Sequence, residues 1–461
     1  MNHARRPIMN TRTLPTLLAS ILITGLAAVP ASQAAGPSVP TEIVVGYSNG
    51  TGAEAQDAIA ANAGTDPGQR VSARSQVVSI GPGESRDAAI RRLRNTPGVR
   101  YAVPNLIAHA SGLGWMPNDR GRVNRLAGWQ VTQWNFMRLR GVNAPDAWAN
   151  VRAAGRPGGK GVKVAIIDSG IAYMNWGRFR RSPDLTGSNF IYGYDFVARN
   201  RYPLDRNGHG THVAGTIAES TNNGKYMTGL AYGATIIPLR VLDAQGSGDS
   251  ADIAEAIRFA ANRGAAVINL SIEFDPGTTA DQIPDVISAI DYATAHGSLV
   301  VSAAGNDASD SVTYPAKAAS ALAVGATTEH RCLTDYSNYG AGLDLVAPGG
   351  GSDANIPADA NCKPNGTAGR DIVQLGLNRG SAGAASVPYR FFLDAEDGTS
   401  MAAPHVSATA ALVVASGVLG AHPTPAALRA HLLSTADPTT LHDFYGAGLV
   451  DAARATQPIV K

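Results

Sequence analysis

Short, uninterrupted apolar runs limit the folds open to this chain more than any other feature. They fall at 162–167, 236–241, 265–270, 299–303, 321–324 and 345–347, each bounded by Gly, Asp or Pro. A strand buried on one face alternates apolar and polar residues, whereas a strand covered on both faces is apolar throughout. The runs therefore predict an α/β architecture with a mostly parallel central sheet between helices. The intervening sequence supplies those helices. Ile253, Ala256, Ile257, Ala260 and Ala261 recur at helical spacing behind Asp249-Ser250, which reads as a cap. Val286, Ile290 and Ala293 mark a second helix, and the segment after Ser400 is apolar nearly all round, as a buried helix is. Two stretches, 174–202 and 349–393, read as long loops.

A chain of 461 residues has room for a large core and a smaller domain beside it. Residues 41–110 read as that smaller α+β unit, with β-rich runs at 42–47, 76–80 and 99–103 and a helix at 86–94. Before it, Arg5, Arg6 and Arg12 precede an apolar stretch at 17–29, followed by Ala31, Ser32, Ala34 and Ala35. That order of charge, apolar run and small residues is the pattern of a cleaved secretion signal, and the run is too short for an ordinary membrane span. An uncleaved anchor is the alternative, and Met9 is a second candidate start. No later segment is apolar for long enough to cross a bilayer, so no membrane partner is expected for the mature form. A formal net charge of +2 argues against nucleic acid as a partner. In an exported chain, Cys332 and Cys362 suggest one disulfide closing a surface loop; two separate thiols are the alternative.

Three segments carry candidate chemistry. Val164-Ala165-Ile166-Ile167-Asp168-Ser169-Gly170 sets a carboxylate at the C-terminal end of a strand, the edge where parallel sheets build their sites. Asn207-Gly208-His209-Gly210-Thr211-His212 places a histidine among glycines at a helix start, with no Cys, Glu or third His at the spacing of a zinc site. Gly398-Thr399-Ser400-Met401-Ala402-Ala403-Pro404-His405 puts a hydroxyl where a loop enters a helix. Alone, that serine reads as a helix cap. A serine nucleophile needs a base and an oxyanion acceptor, and free N–H groups at a helix start suit the second task.

Together, and in the order Asp, His, Ser, these segments resemble the subtilisin-like serine proteases, the subtilase family (peptidase S8), for which that chain order is established. The resemblance runs from about 134 to 455. It takes in Ala303-Ala304-Gly305-Asn306, Thr313-Tyr314-Pro315-Ala316, Val346-Ala347-Pro348-Gly349 and Gly446-Ala447-Gly448-Leu449-Val450-Asp451-Ala452. It implies a subtilisin-like three-layer fold and a serine endopeptidase acting on polypeptides through an acyl-enzyme. Ser400 would be the nucleophile, His209 the general base, Asp168 its orienting carboxylate, and Asn306 the side-chain oxyanion donor. His212 and His405 read as structural helix residues. An ester or lipid hydrolase is disfavoured because Ala402 stands where a Gly-x-Ser-x-Gly elbow has its last glycine. A catalytically dead relative acting as a binding protein is the other alternative.

Residues 41–110 resemble the family's inhibitory propeptide, an α+β ferredoxin-like domain, chiefly through Arg94-Asn95-Thr96-Pro97-Gly98-Val99-Arg100-Tyr101-Ala102-Val103-Pro104-Asn105. The implied organisation is a signal peptide at 1–34, a propeptide at 35–112 and a catalytic domain at 113–461, made as a self-processed zymogen and expected to be monomeric. Substrate strands are expected to pair with Ser271-Ile272-Glu273 and with the stretch after Leu242. There the chain departs from the family's usual Ser-Leu-Gly-Gly, and Thr313 stands where the pocket floor is often Gly. Thr313 would narrow the S1 pocket, and Glu273 either favours basic residues nearby or points to solvent. No cofactor is expected for catalysis. Asp184, Asn222 and Asn223 are candidate ligands of a structural calcium, a polar surface turn being the alternative.

Overall fold

The computed structural model describes residues 38–81, 83–106, 114–378 and 389–458. The signal expected at 1–34 lies outside them. The chain divides into two compact units, Met1–Ala108 and His109–Lys461.

In the first unit, β1 (Ser38–Tyr47), α1 (Ala53–Asn62), β2 (Thr65–Ser72), β3 (Ser75–Ile80), α2 (Arg86–Arg94) and β4 (Val99–Leu106) follow in order. They form an antiparallel sheet β2-β3-β1-β4, the βαββαβ arrangement of ferredoxin-like domains. Ile43 and Val45 of β1 point to one face, where Val78, Ile90 and Leu93 meet them in a small core. Two elements were not foreseen from the sequence, α1 and β2. β2 is polar and almost wholly exposed, an edge strand on which Pro67 costs no ladder bond the fold needs.

The second unit is a three-layer α/β structure. Along its chain come α3 (Trp129–Thr132), α4 (Ala144–Ala153), β5 (Lys163–Asp168), β6 (Asn189–Phe190), β7 (Tyr194–Asp195), α5 (His209–Ala218), β8 (Thr235–Arg240), α6 (Ser250–Asn262), β9 (Val267–Leu270) and α7 (Pro284–Ala295). After these come β10 (Leu299–Ala303), β11 (Ala321–Thr327), β12 (Leu345–Pro348), β13 (Ile372–Leu377), β14 (Phe391–Glu396) and α8 (Thr399–Ser416). Eight strands form one parallel sheet in the order β12-β11-β10-β9-β5-β8-β6, with β7 also on β8. Alternation explains why the runs are continuously apolar. Val164 and Ile166 of β5 face a core with residues of α5 and α8, while Ala165 and Ile167 face a second core with residues of α6 and α7. The Asp249 cap is real, its carboxylate accepting from Asp252 N at 2.9 Å.

Sheet order positions the site. From β5 the chain moves out to β8, then crosses back to β9 and continues to β12. The reversal opens a crevice at the carboxyl ends of β5 and β9, where open α/β sheets bind ligands. Asp168 ends β5, Ser271 follows β9, and Ala304-Gly305-Asn306 follow β10. The stretches expected to be loops hold more structure than their composition suggests. Residues 174–202 contain the two short strands β6 and β7, and 349–393 contain β13 and the start of its antiparallel partner β14. Cys332 and Cys362 form a disulfide. Closing a loop of that length stabilises a fold by about 3–4 kcal/mol in the chain-entropy view.

Candidate active site

Asp168 is fully buried, and the chain turns at once behind it. Helix α5 begins at His209, so the imidazole is presented at the helix start beside that carboxylate. Nδ1 of His209 lies 2.8 Å from Asp168 Oδ1 and 3.0 Å from Oδ2. The approach depends on Gly210: a Cβ there would stand 2.2 Å from Gly170 O and 2.9 Å from Asp168 Oδ1. Burial opposes charge on the imidazole, but the Asp168 carboxylate outweighs it and raises the His209 pKa from 6.5 to about 9. Glu396 and Asp205 add to that rise.

A second buried carboxylate holds this corner together. Asp205 Oδ1 accepts from Ser169 Oγ and from the N–H groups of Asn207 and Gly208, while Oδ2 accepts from Thr211 N and Oγ1. Ser169 Oγ in turn accepts from Gly210 N. The bonds tie the end of β5 to the start of α5, which sets Asp168 against His209. Burial still pushes the Asp205 carboxyl above its ordinary range. This residue was not foreseen from the sequence; Asp205-Arg206-Asn207-Gly208 shows turn chemistry before a helix, but not the bonds that the carboxylate makes.

Ser400 is the second residue of α8 and lines a 620 Å³ cavity with His209 and Asn306. Pro404 fixes its setting. A residue at that place normally donates to the carbonyl four residues earlier, and proline has no N–H to give. The Ser400 carbonyl accepts instead from Ser271 Oγ at 2.8 Å, and Ser400 Oγ donates to Ser271 O at 3.2 Å. Two hydrogen bonds thus clasp the serine to the segment that follows β9.

Asn306 sits on the opposite wall. Its Oδ1 accepts from Thr399 N at 2.8 Å and Thr399 Oγ1 at 3.0 Å, so the amide can turn only its NH2 toward the opening. Thr399 Oγ1 also accepts from Gly305 N at 3.2 Å. This role for Thr399 was not foreseen, because it rests on a contact between distant parts of the chain. Glu273 reaches the same group, its Oε2 accepting from Asn306 N at 3.1 Å and its Oε1 from Asn306 Nδ2 at 3.3 Å. Thr313 is buried, with Oγ1 donating to Ala304 O at 3.2 Å. Ile272, expected to line the substrate edge, turns its side chain into the second core and leaves only backbone to the cleft. His212 and His405 are buried helix residues bonded to the carbonyls of Ile372 and Met401.

The candidate calcium ligands also converge. Asp184 is buried, and burial, with Asp119 adding, pushes its pKa up to about 7. Its Oδ1 accepts from Asn223 Nδ2 and its Oδ2 from Met227 N, both at 2.8 Å. The oxygens of Asn223 and Asn222 accept from the backbone of Lys225 and Asn118. A hard cation needs several oxygens turned to one centre. Here an NH2 group faces Asp184, and among the described residues no three acidic, His or Cys side chains are grouped to hold a metal. Direct hydrogen bonds hold the loop together here.

A serine, an imidazole backed by a carboxylate and an amide donor around one cavity are the parts of a serine hydrolase. The comparisons narrow that class. The subtilase family model matches residues 159–448, and the fervidolysin N-terminal prodomain model matches residues 27–105. The chain is 35% identical over 391 residues to the thermophilic serine proteinase of Bacillus sp. (strain AK1), across 84% of this chain and 80% of that protein. It is 37% identical over 300 residues to subtilisin Savinase of Lederbergia lenta, across 65% of this chain and 92% of that one. A solved structure of proteases from Pseudoalteromonas arctica superposes with a TM-score of 0.58 at 29% identity, covering 74% of this chain and 98% of that one. The chain belongs to the subtilase family and is a subtilisin-like serine endopeptidase with an N-terminal prodomain, needing no cofactor for catalysis.

Proposed function

We propose that Ser400, His209 and Asp168 are the catalytic triad of a secreted endopeptidase that is made as a zymogen and processes itself. The carrying observation is the His209–Asp168 pair. With Nδ1 committed to the carboxylate, Nε2 is the nitrogen left for Ser400 across the shared cavity. In the reaction the Ser400 hydroxyl leaves the Ser271 carbonyl and gives its proton to His209 Nε2 as Oγ attacks the scissile carbonyl. The resulting oxyanion is met by Asn306 Nδ2 and the Ser400 N–H, neutral donors that do not repel the imidazolium. Collapse expels the amine, which takes the proton from His209, and water then hydrolyses the acyl-enzyme by the reverse steps.

Support for self-processing comes from the ferredoxin-like first unit and its match to a prodomain. A large parallel sheet is rich in non-local contacts and folds slowly, which gives a folding helper a purpose. On this reading the signal is 1–34, the propeptide 35–112 and the enzyme 113–461, with polypeptides and its own propeptide as partners. Export rests on the basic and apolar pattern of the first residues. Among the described residues no helix is long and apolar enough to cross a membrane.

N-terminal sequencing of the exported protein, wild type beside Ser400→Ala, tests the proposal. The expected result is a wild-type start between about Asn105 and Trp115 and an uncut propeptide in the variant. Normal processing of Ser400→Ala would refute it.

A further inference from the structure

Behind Asn306 lies a carboxylate that the triad mechanism does not use. Glu273 comes two residues after Ser271, so one short run clasps Ser400 at one end and touches Asn306 at the other. A Cβ added to Gly305 would lie 2.8 Å from Glu273 Oε2 and 2.7 Å from Thr313 Oγ1. Carboxylate and hydroxyl therefore close on the same small space over the Gly305–Asn306 peptide. More than a third of Glu273 is exposed, so the carboxylate is open to a ligand.

The chemistry of attack says which part of a substrate comes there. The scissile carbonyl must place its oxygen within about 3 Å of Asn306 Nδ2. The side chain of the residue that owns this carbonyl, the P1 residue, leaves from the carbon next to it. It therefore starts within a few bonds of the nitrogen that Glu273 already holds.

Glu273 conflicts with catalysis in two ways when P1 is neutral. Its Oε1 takes one of the two N–H groups of the oxyanion-donating Nδ2 and fixes the amide's direction, and its negative charge sits within about 6 Å of an oxyanion bound to the same nitrogen, where like charges repel. The neighbouring charges that act on it, Asp307 and Asp275, are negative and do not relieve this. Lys317, on the adjoining cavity with Asp275 and Thr313, donates to Ser311 Oγ. Partial burial, with Asp307 adding, already holds the Glu273 carboxyl above its ordinary range.

We propose that Glu273 is the specificity-determining residue of this cleft and selects Lys or Arg at P1. A cationic P1 side chain draws the carboxylate away from Asn306 and cancels its charge beside the developing oxyanion. The inference rests on the assignment of Ser400 and Asn306 above.

The test is kcat/KM of the processed enzyme on matched peptide amides that differ only at P1, carrying Arg, Lys, Gln, norleucine, Leu or Phe. Covalent labelling of Ser400 by a fluorophosphonate is measured on the same samples. The expected preference for Arg and Lys over the neutral side chains is about tenfold or more, the effect of one compensated charge. In Glu273→Gln that preference should fall below about threefold, with neutral substrates cleaved faster than by wild type. If wild type labels at Ser400 but cleaves after Leu or Phe as well as after Arg, the Glu273 proposal is overturned and the triad stands. A preference that survives Glu273→Gln overturns it as well. Failure of Ser400 to label would remove the underlying assignment instead. Should Glu273→Gln not fold, Glu273→Ala takes its place, and a wild-type panel without a preference for Arg and Lys overturns the proposal by itself.

Discussion

The two walls beside Ser400 are built on different principles. On the Asp168–His209 wall the carboxylate is buried, Asp205 gathers five donors behind it, and Gly210 permits one close approach. On the Asn306 wall the amide and Glu273 are both exposed, and Glu273 accepts from the Asn306 backbone N–H and from the same Nδ2 that would meet an oxyanion. The first wall is fixed before substrate arrives, while the second must exchange partners when it does. Proton transfer is the same for every peptide, so its groups gain from rigidity. A wall that sorts substrates needs bonds that the right side chain can break and the wrong one cannot.

Substitutions on the two walls should therefore differ in size and in kind. Asp168→Asn leaves the shape of the first wall but removes the charge and the tautomer control, and kcat should fall by about 10⁴. A loss of less than about tenfold would mean that Asp168 does not orient the base. Asn306→Ala removes one oxyanion donor, for which subtilisin itself sets the scale of about 10²–10³ in kcat with KM little changed. Thr399→Val keeps the N–H to Asn306 Oδ1 and loses the hydroxyl bonds to Asn306 and Gly305. It should cost about tenfold in kcat, the worth of one hydrogen bond. If KM rather than kcat moves, Thr399 holds substrate and not the amide.

The smallest effect expected is on pH dependence. His209 must be neutral to act as base, so kcat/KM should rise with pH with a midpoint near 9. Glu396→Gln removes one of the charges that raise this pKa and should move the midpoint down by less than about one pH unit. A wild-type midpoint at or below about 6.5 would show that Asp168 does not dominate the imidazole. The same pair makes stability pH-dependent: its contribution is full below the unfolded value of about 6.5 and is lost as pH rises through about 9.

The contrast also bears on what could be read from sequence. Each run at 162–167, 236–241, 265–270, 299–303, 321–324 and 345–347 became a strand within three residues of its limits, because burial on both faces leaves no polar positions to blur the signal. β13 and β14 were missed because a two-stranded hairpin among Gly, Asn and Ala lacks that signature. β2 and α1 were missed for want of a clear apolar face. At the site, Asp168, His209, Asn306 and Ser400 were legible because each lies in a motif whose residue types suit its chemistry. Glu273 was visible as a departure from Ser-Leu-Gly-Gly, but its contact with Asn306 depends on how the ends of β9 and β10 meet. Thr399 and Asp205 were hidden for the same reason: their roles lie in hydrogen bonds that only the fold creates. Asp184 and Asn223 were legible as polar loop residues, but the hydrogen bond between them joins parts of the chain far apart in sequence.

The central claim is that the Asp168–His209 wall activates Ser400. Treating the processed enzyme with a fluorophosphonate and locating the adduct by peptide mass spectrometry tests it most directly, with His209→Ala run beside wild type. The account predicts one adduct per molecule, on Ser400, and its loss in His209→Ala. An unlabelled but folded wild-type enzyme, an adduct on another residue, or undiminished labelling in His209→Ala would contradict it.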